Sequence, residues 1–546
     1  MKFYYRILVV VCIALFMAQC DAVEPDEILN DPNNPSPANI DANFLLNNIQ
    51  FEGRSVYAGA SGLGAEMSRM GYMFGDTYNN AYSSQSFNGV YQNAYADLFI
   101  DVQNLLPIAR ERQLYFHAGI AKTLKAYAML TLVDVYGDVP LSEALDPSNF
   151  NPGLDEGAAV YDSALVLLDD AIADFQNEDR RALPVTDLYY GTLPESDRQE
   201  AWVRLANTLK LKAYLNMGDA ANFSAIANPS LVISEARWDF TFDWGTTTTN
   251  PDSRHPAFTN NYVDVANDYT AVNYLNMMLN DKTIADPRRR YYFYRQTTSD
   301  PTDVNLNTCI AANKPGHFTQ EDPFCLLGDG WWGRDHLIDD GIPPDGDLRT
   351  TWGVYPIGGR FDANQGEPTE PEQGYQGAGF DPIMMSSYTW FMIAEGELNL
   401  NNNPAGAKTA LDIALDESFN TIADFGFDQA DGTGFEIAAD SGASGAYTDI
   451  VDDRWATRDQ LRVISKEFYL ALWPNGIEAY NMMRRTGYPN RIDNLQPARS
   501  PNPGLWYRSF SYPAVLTERN SNVTQKDNNH VRVFWDTRGN DDEFDF

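Results

Sequence analysis

Apolar positions in the first half of the chain recur at helical spacing. In VYDSALVLLDDAIADF, Tyr161, Leu165, Leu168, Ile172 and Phe175 fall at steps of four, three, four and three, which lines one face of an α-helix. HAGIAKTLKAYAMLTLVDVYGD puts Ile120, Leu124 and Tyr127 on one face and runs into Gly137, with Pro140 beyond, as a helix end should. QEAWVRLANTLKLKAYLNMGD repeats the device with Trp202, Leu205, Leu209 and Ala213, and stops at Gly218. SSYTWFMIAEGELNL, AGAKTALDIALDESF and RDQLRVISKEFYLAL predict further helices.

These helices follow one another in pairs joined by short turns, with small residues where partners would meet. The pattern predicts a tetratricopeptide-like stack, although no strict 34-residue period is present. From about residue 230 to 382 Gly, Pro, Asp and aromatics take over and helical periodicity stops. The predicted fold is all-α dominated: tetratricopeptide-type helix pairs carrying a long irregular, loop-rich insertion. Loops on a rigid frame are where binding is expected.

The first residues follow a different pattern. Lys2 and Arg6 precede the apolar run ILVVVCIALFMA, which is too short to span a bilayer and predicts a secretory leader over residues 1–19. The leader ends at MAQ followed by Cys20, similar to a bacterial lipobox with Met17 where leucine is usual. Lipidation of Cys20 would hold the protein on a membrane. Residues 20–40, with the acidic, Pro-rich DAVEPDEILNDPNNPSP, read as a flexible tether, leaving residues 41–546 as the folded body.

Composition narrows the partners. The 546 residues are 44% hydrophobic, a normal balance for a folded body. With 76 acidic against 39 basic residues the net charge is −37, which argues against nucleic acid, whose phosphates need concentrated Lys and Arg. Outside the leader and Cys20, the cysteines are Cys309 and Cys325, and an exported pair this close predicts a disulfide. Zinc is disfavoured: of five histidines none stands at ligand spacing from them. No metal or cofactor is predicted.

Catalytic signatures are hard to find. GASGLGAE, residues 59–66, lacks the glycines that a nucleophile elbow or a dinucleotide turn requires, since Leu63 and Met67 occupy them. Asp339, Asp340, Asp345 and Asp347 resemble hard-cation ligands but fit a solvated turn better. In so acidic a chain, no carboxylate pair stands out for glycoside hydrolysis. Aromatics are more informative. Tyr72, Phe74, Tyr78, Tyr82, Phe87 and Tyr91 crowd one segment, and Trp331 and Trp332 sit side by side. Flat rings among Gly and Asn suit stacking on sugars or peptides. Tyr78, Tyr82, Trp331 and Trp332 are the expected ligand-binding residues.

LWPNGIEAYNMMRRTGYP, followed by YRSFSYPAVLTERNSN, closely resembles the C-terminal signature of the SusD/RagB family of nutrient-binding surface lipoproteins, nearest its SusD-like 2 branch. TLVDVYGDVPLSEAL, WVRLANTLKLK, ADPRRR, GRDHLIDDGIPPDGDLRTTWGVYPIGG and YTWFMIAEGEL continue the resemblance in the family's order. It implies a helical lid, lipid-anchored on the outer membrane over a SusC-like TonB-dependent transporter, that captures oligosaccharides or peptides without catalysis. An exported hydrolase on a helical scaffold is the alternative. Within WPNG, Pro474-Asn475-Gly476 reads as a break between helices 465–473 and 477–485. Asn475 is expected to cap the second helix, Arg484 and Arg485 suit its C-terminal dipole, and Arg484 is expected to reach Glu395 or Glu467.

Overall fold

The structure is a computed structural model describing residues 41–179, 181–341, 343–426 and 441–538. The leader, Cys20 and the tether lie outside the described residues. Numbering only helices of more than ten residues, α1 is Ala42–Met67, α2 Phe99–Arg112, α3 Tyr115–Tyr136, α4 Gly157–Phe175 and α5 Glu195–Met217. After the insertion come α6 Ser386–Asn399, α7 Pro404–Gly426, α8 Ser441–Thr457, α9 Gln460–Ala471 and α10 Gly476–Thr486. Strands are short: β1 Phe240–Asp243 pairs antiparallel with β4 Phe380–Met384, and β2 Phe293–Arg295 with β3 Thr350–Trp352. No described helix is long and apolar enough to cross a membrane.

Successive helices pack on one another: α3 on α4, α4 on α5, α6 on α7, α9 on α10. Gly137 (φ +79°) and Gly218 (φ +69°) end α3 and α5 at positive φ, Gly218 in the left-handed helical conformation, at the ends their sequences predict. Two faces differ in detail from their sequence patterns. α3 is buried almost all round because α1, α2, α4 and α5 all touch it. The buried face of α4 runs through Ala164, Leu168 and Ala171, leaving Leu165 and Ile172 half-buried, because small alanines let α3 approach closely.

α1, like α2 and α8, is a helix the apolar pattern did not predict, and GASGLGAE forms its C-terminal part. Glycine weakens a helix interior, so a packing reason is required. A Cβ on Gly64 would lie 2.3 Å from the Gly476 carbonyl oxygen, and one on Gly476 would lie 2.0 Å from the Ala65 nitrogen. Two backbones meet here, and the Gly476 N–H donates to Ser61 Oγ at 2.8 Å.

The WPNG break therefore serves as scaffold. Asn475 Oδ1 accepts the Glu478 N–H, capping α10, while Asn475 Nδ2 donates to Pro382 O (3.1 Å) and Ile383 O (3.0 Å) on β4. The expected pairing of Arg484 is corrected. Arg485 makes the bidentate contact with Glu395, Nε–Oε1 and Nη2–Oε2 both at 2.7 Å. Arg484 instead donates to Arg508 O and Asn481 Oδ1 and lies over the Tyr480 ring. Glu467 pairs with Lys282 at 2.8 Å. Neighbouring residues on a helix point about 100° apart, so only one of the two arginines can face α6.

The insertion is irregular, as its composition predicts, but stitched. β1 and β4 close its base, and Cys309 and Cys325 are joined with Cα atoms 5.6 Å apart. Asp345 pairs with Arg349 at 2.6 Å, while Asp339, Asp340 and Asp347 are exposed.

Candidate functional site

A cavity of about 440 Å³ opens where α1, the loop after it, the insertion and the turn before α10 meet. α1 contributes Arg54, Tyr57, Ser61 and Ala65, steps of three and four that place them on one helix face. Trp473 and Pro474, from the WPNG break, line it too. The ring of Trp473 lies 4.7 Å from that of Trp352, a half-buried residue of β3 that also lines the space.

One wall is a charge-balanced set. Arg54 Nε donates to Asp381 Oδ2 at 2.7 Å, and Trp244 Nε1 donates to the same oxygen at 2.8 Å. The Arg54 guanidinium also covers the Trp244 ring at 4.7 Å. The Ala257 N–H donates to His255 Nδ1, so the neutral ring carries its proton on Nε2, 3.4 Å from Asp381 Oδ1. Burial alone would raise the Asp381 carboxyl, but His255 and Arg54 overcome it and bring it down to about 2.

The opposite wall is a stack of rings and guanidinium groups. Residues 70–72 pair through their backbones with 269–271, with Tyr72 N donating to Tyr269 O and Ala271 N to Met70 O. This pairing sets Tyr72 and Tyr269 edge to face, centroids 5.6 Å apart. Arg334 lies 5.0 Å from Tyr72 and 4.8 Å from Tyr269, and Arg349 lies 3.7 Å from Tyr269. Their hydroxyls are held, Tyr72 on Ile338 O (2.9 Å) and Tyr269 on Asp345 Oδ1 (2.6 Å). Rings fixed at edge and hydroxyl line the cavity in a settled orientation.

Glu66 and Asp268 complete the lining. Burial pushes the Glu66 carboxyl up to about 7, with the Asp268 charge adding to it and the Tyr82 hydroxyl, which donates to Glu66 Oε2, working the other way. Asp268 accepts from the side-chain amides of Asn260 and Asn261, both at 2.6 Å.

The four rings expected at the site take other places. Tyr78 is 2% exposed, bonded through its hydroxyl to His336 Nε2 and packed against Tyr507. Trp331 and Trp332 are 6% and 2% exposed beneath the insertion, Trp331 covered by Arg295 at 4.6 Å. Both faces of a buried ring are occupied by protein, so these three are corrected from ligand platforms to core. Tyr82 is half-buried among Phe87, Tyr507 and Phe510 and reaches the cavity only through its bond to Glu66. Of the noted aromatic segment, Tyr72 is the member that lines the cavity. Arg54, Glu66, His255, Tyr269, Trp352, Asp381 and Trp473 were not singled out as site residues. No local motif marks them, because they come from segments far apart in sequence.

The comparisons agree on what this arrangement belongs to. Residues 32–317 match a family described as SusD-like, starch-binding associating with outer membrane. No curated protein matches the sequence. Among solved structures, a SusD/RagB family protein from Bacteroides thetaiotaomicron is similar over 92% of this chain and 100% of its own, with TM-score 0.62 and 17% identity. A chitin-binding SusD homolog from Flavobacterium johnsoniae is similar over 91% and 98%, with TM-score 0.60 and 18% identity. A SusD homolog from Bacteroides uniformis matches over 91% and 99%, with TM-score 0.62 and 16% identity. The helical fold with its looped insertion is thus shared with these structures, and the family match covers more than half the chain: the protein belongs to the SusD-like family of starch-binding proteins that associate with the outer membrane.

Proposed function

We propose that the protein captures a nutrient oligomer, an oligosaccharide or a peptide, in the cavity between α1 and the insertion. It then delivers that ligand to a SusC-like TonB-dependent transporter. Lipid on Cys20 would tether it to the outer membrane, facing outward, with residues 20–40 as the leash. One observation carries the proposal: three rings, Tyr72, Tyr269 and Trp352, line an open cavity beside polar groups already held in place. Such a surface suits reversible stacking with hydrogen-bonded orientation, and no cofactor enters the scheme.

Calorimetry of the folded chain against starch oligomers, chitin oligomers and peptides tests this. At least one class should bind. Tyr72→Ala and Trp352→Ala should lose about 1–3 kcal/mol of binding, roughly fivefold to 150-fold, while remaining folded. Folded variants that bind as the parent does would move the site elsewhere. Cys20→Ala should leave the membrane fraction. The alternative, an exported hydrolase, draws on Glu66, a carboxyl poised near neutrality in a cavity. Sustained release of reducing ends or free amino termini by pure protein would favour it.

A further inference from the structure

We propose that a second cavity, between α2, α3 and the loop that follows α3, binds a small organic anion with an apolar body. This cavity of about 610 Å³ has the ordinary size of a small-molecule site and shares no lining residue with the nutrient cavity. Leu106 of α2 and Leu141, Ala144 and Leu145 of the loop line it, and all four are half-buried, so an apolar wall from two segments stays open. The loop is fixed before any ligand arrives. The Leu141 and Ser142 N–H groups donate to Asp155 Oδ2 at 2.6 and 2.9 Å, and the Tyr95 hydroxyl donates to Pro140 O. Leu145 is held at φ +64°, a left-handed conformation that costs a leucine free energy.

Charge decides the head of the ligand. Lys125, from the middle of α3, lines the cavity half-buried, with its Nζ 5.4 Å from the centre of the Phe99 ring. Burial lowers the amine, and no neighbouring carboxylate counters that. The acids of the surrounding elements are engaged elsewhere: Asp174 with Lys122 at 2.7 Å, Asp101 with the Asn48 amide at 2.7 Å, and Glu143 with the Gly153 N–H at 3.0 Å. Arg110 and Glu111, both exposed at the end of α2, line the cavity too and offset each other. One uncompensated ammonium remains beside aliphatic carbon, in a chain where acids outnumber bases 76 to 39. A charge-assisted bond from a carboxylate or sulfate would satisfy it, while the aliphatic wall takes an alkyl chain or a ring. A single negative charge fits best, because each further one meets the field of a net charge of −37.

The test titrates octanoate against octanol, and 3-phenylpropionate against 3-phenylpropanol, calorimetrically into the folded chain at neutral pH. The acid of at least one pair should bind roughly tenfold more tightly than its alcohol, and the pair that does so identifies the body. Lys125→Met keeps the apolar stem without the charge, so the acid should fall to the affinity of the alcohol. Lys125→Arg should retain the preference, and Ala144→Phe, which narrows the cavity, should weaken both members of the pair. Melting temperatures establish that each variant is folded. Position is read on the parent chain, which needs no variant: acetylation of Lys125 by an N-hydroxysuccinimide ester, followed by mass spectrometry, should slow severalfold with the preferred acid and not with its alcohol. Equal affinity of acid and alcohol, a preference that survives Lys125→Met, binding undiminished by Ala144→Phe, or acetylation of Lys125 that the acid does not slow would each overturn the proposal. So would a failure of all these compounds to bind, and the nutrient cavity would be untouched by any of these results.

Discussion

The contact between α1 and α10 and the contact between α1's following loop and the insertion are built from opposite materials. At the first, Gly64 and Gly476 bring two backbones together with no side chain between them. At the second, Tyr72 and Tyr269 are interleaved with Arg334 and Arg349. A backbone contact has one geometry and tolerates no added atom. A layer of rings and guanidinium groups covers wide area, keeps polar edges, and leaves its tyrosines half-buried at the cavity. The frame therefore holds position, and the ring layer supplies the surface that a ligand can use. The cavity lies at the seam between the two.

That contrast breaks most sharply at Gly64. Gly64→Ala should destabilise by about 3 kcal/mol or more, since the nearest obstacle is backbone that cannot swing aside. Gly62→Ala, two residues away with nothing within 4 Å, should instead stabilise by about 0.5–1 kcal/mol through helix propensity. Thermal unfolding of the two variants reads the difference directly, and equal melting temperatures would dissolve the distinction.

On the insertion side, the Cys309→Ser, Cys325→Ser double variant should lose roughly 3 kcal/mol of stability, the value of closing a loop of this size. Hydrogen exchange should rise within the insertion and leave α3 and α4 protected. Thiol labelling of the oxidised folded protein should find both cysteines unreactive.

Glu66 sharpens the comparison by pH. Its carboxyl faces Tyr82, Tyr72 and Asp268, and its folded value of about 7 exceeds the ordinary 4.5. The folded state thus binds the proton more tightly. The stability this contributes is full below 4.5 and is lost as pH rises through 7, at most about 3 kcal/mol. Glu66→Gln should flatten that slope in denaturant titrations across the interval; an unchanged slope would remove Glu66 as its source.

The smallest loss belongs to the ring layer. Arg334→Lys keeps the charge but loses the plane lying against Tyr72 and Tyr269, and should cost about 1 kcal/mol. A loss as large as that of Gly64→Ala would mean the insertion is as rigidly keyed as the frame.

The helices of the frame were legible because burial on one side leaves a period in the chain, as Tyr161, Leu168 and Phe175 do in α4 and as Gly137 and Gly218 do at two helix ends. The break at Pro474–Gly476 and the Asn475 cap were legible for the same local reason. The texture of residues 230–382 marked the insertion, and the spacing of Cys309 and Cys325 suggested their pairing. α1 escaped because its glycines count against a helix unless Gly476, far along the chain, is known to press on Gly64.

The site escaped for a related reason. An aromatic in a Gly-rich segment looks the same whether it ends in the core, as Trp332 does, or on a cavity wall, as Tyr72 does. Which of the two occurs depends on what packs above the ring, and here that is set by Tyr269 and Arg334, about two hundred residues or more away. Arg54 and Asp381 meet across 327 positions. By itself the sequence determined where helices start, stop and turn their apolar faces, since those depend on neighbours three or four residues away. Only the tertiary structure decided which charges stay unpaired and which rings reach the cavity, because charge compensation and burial are properties of segments that meet only on folding.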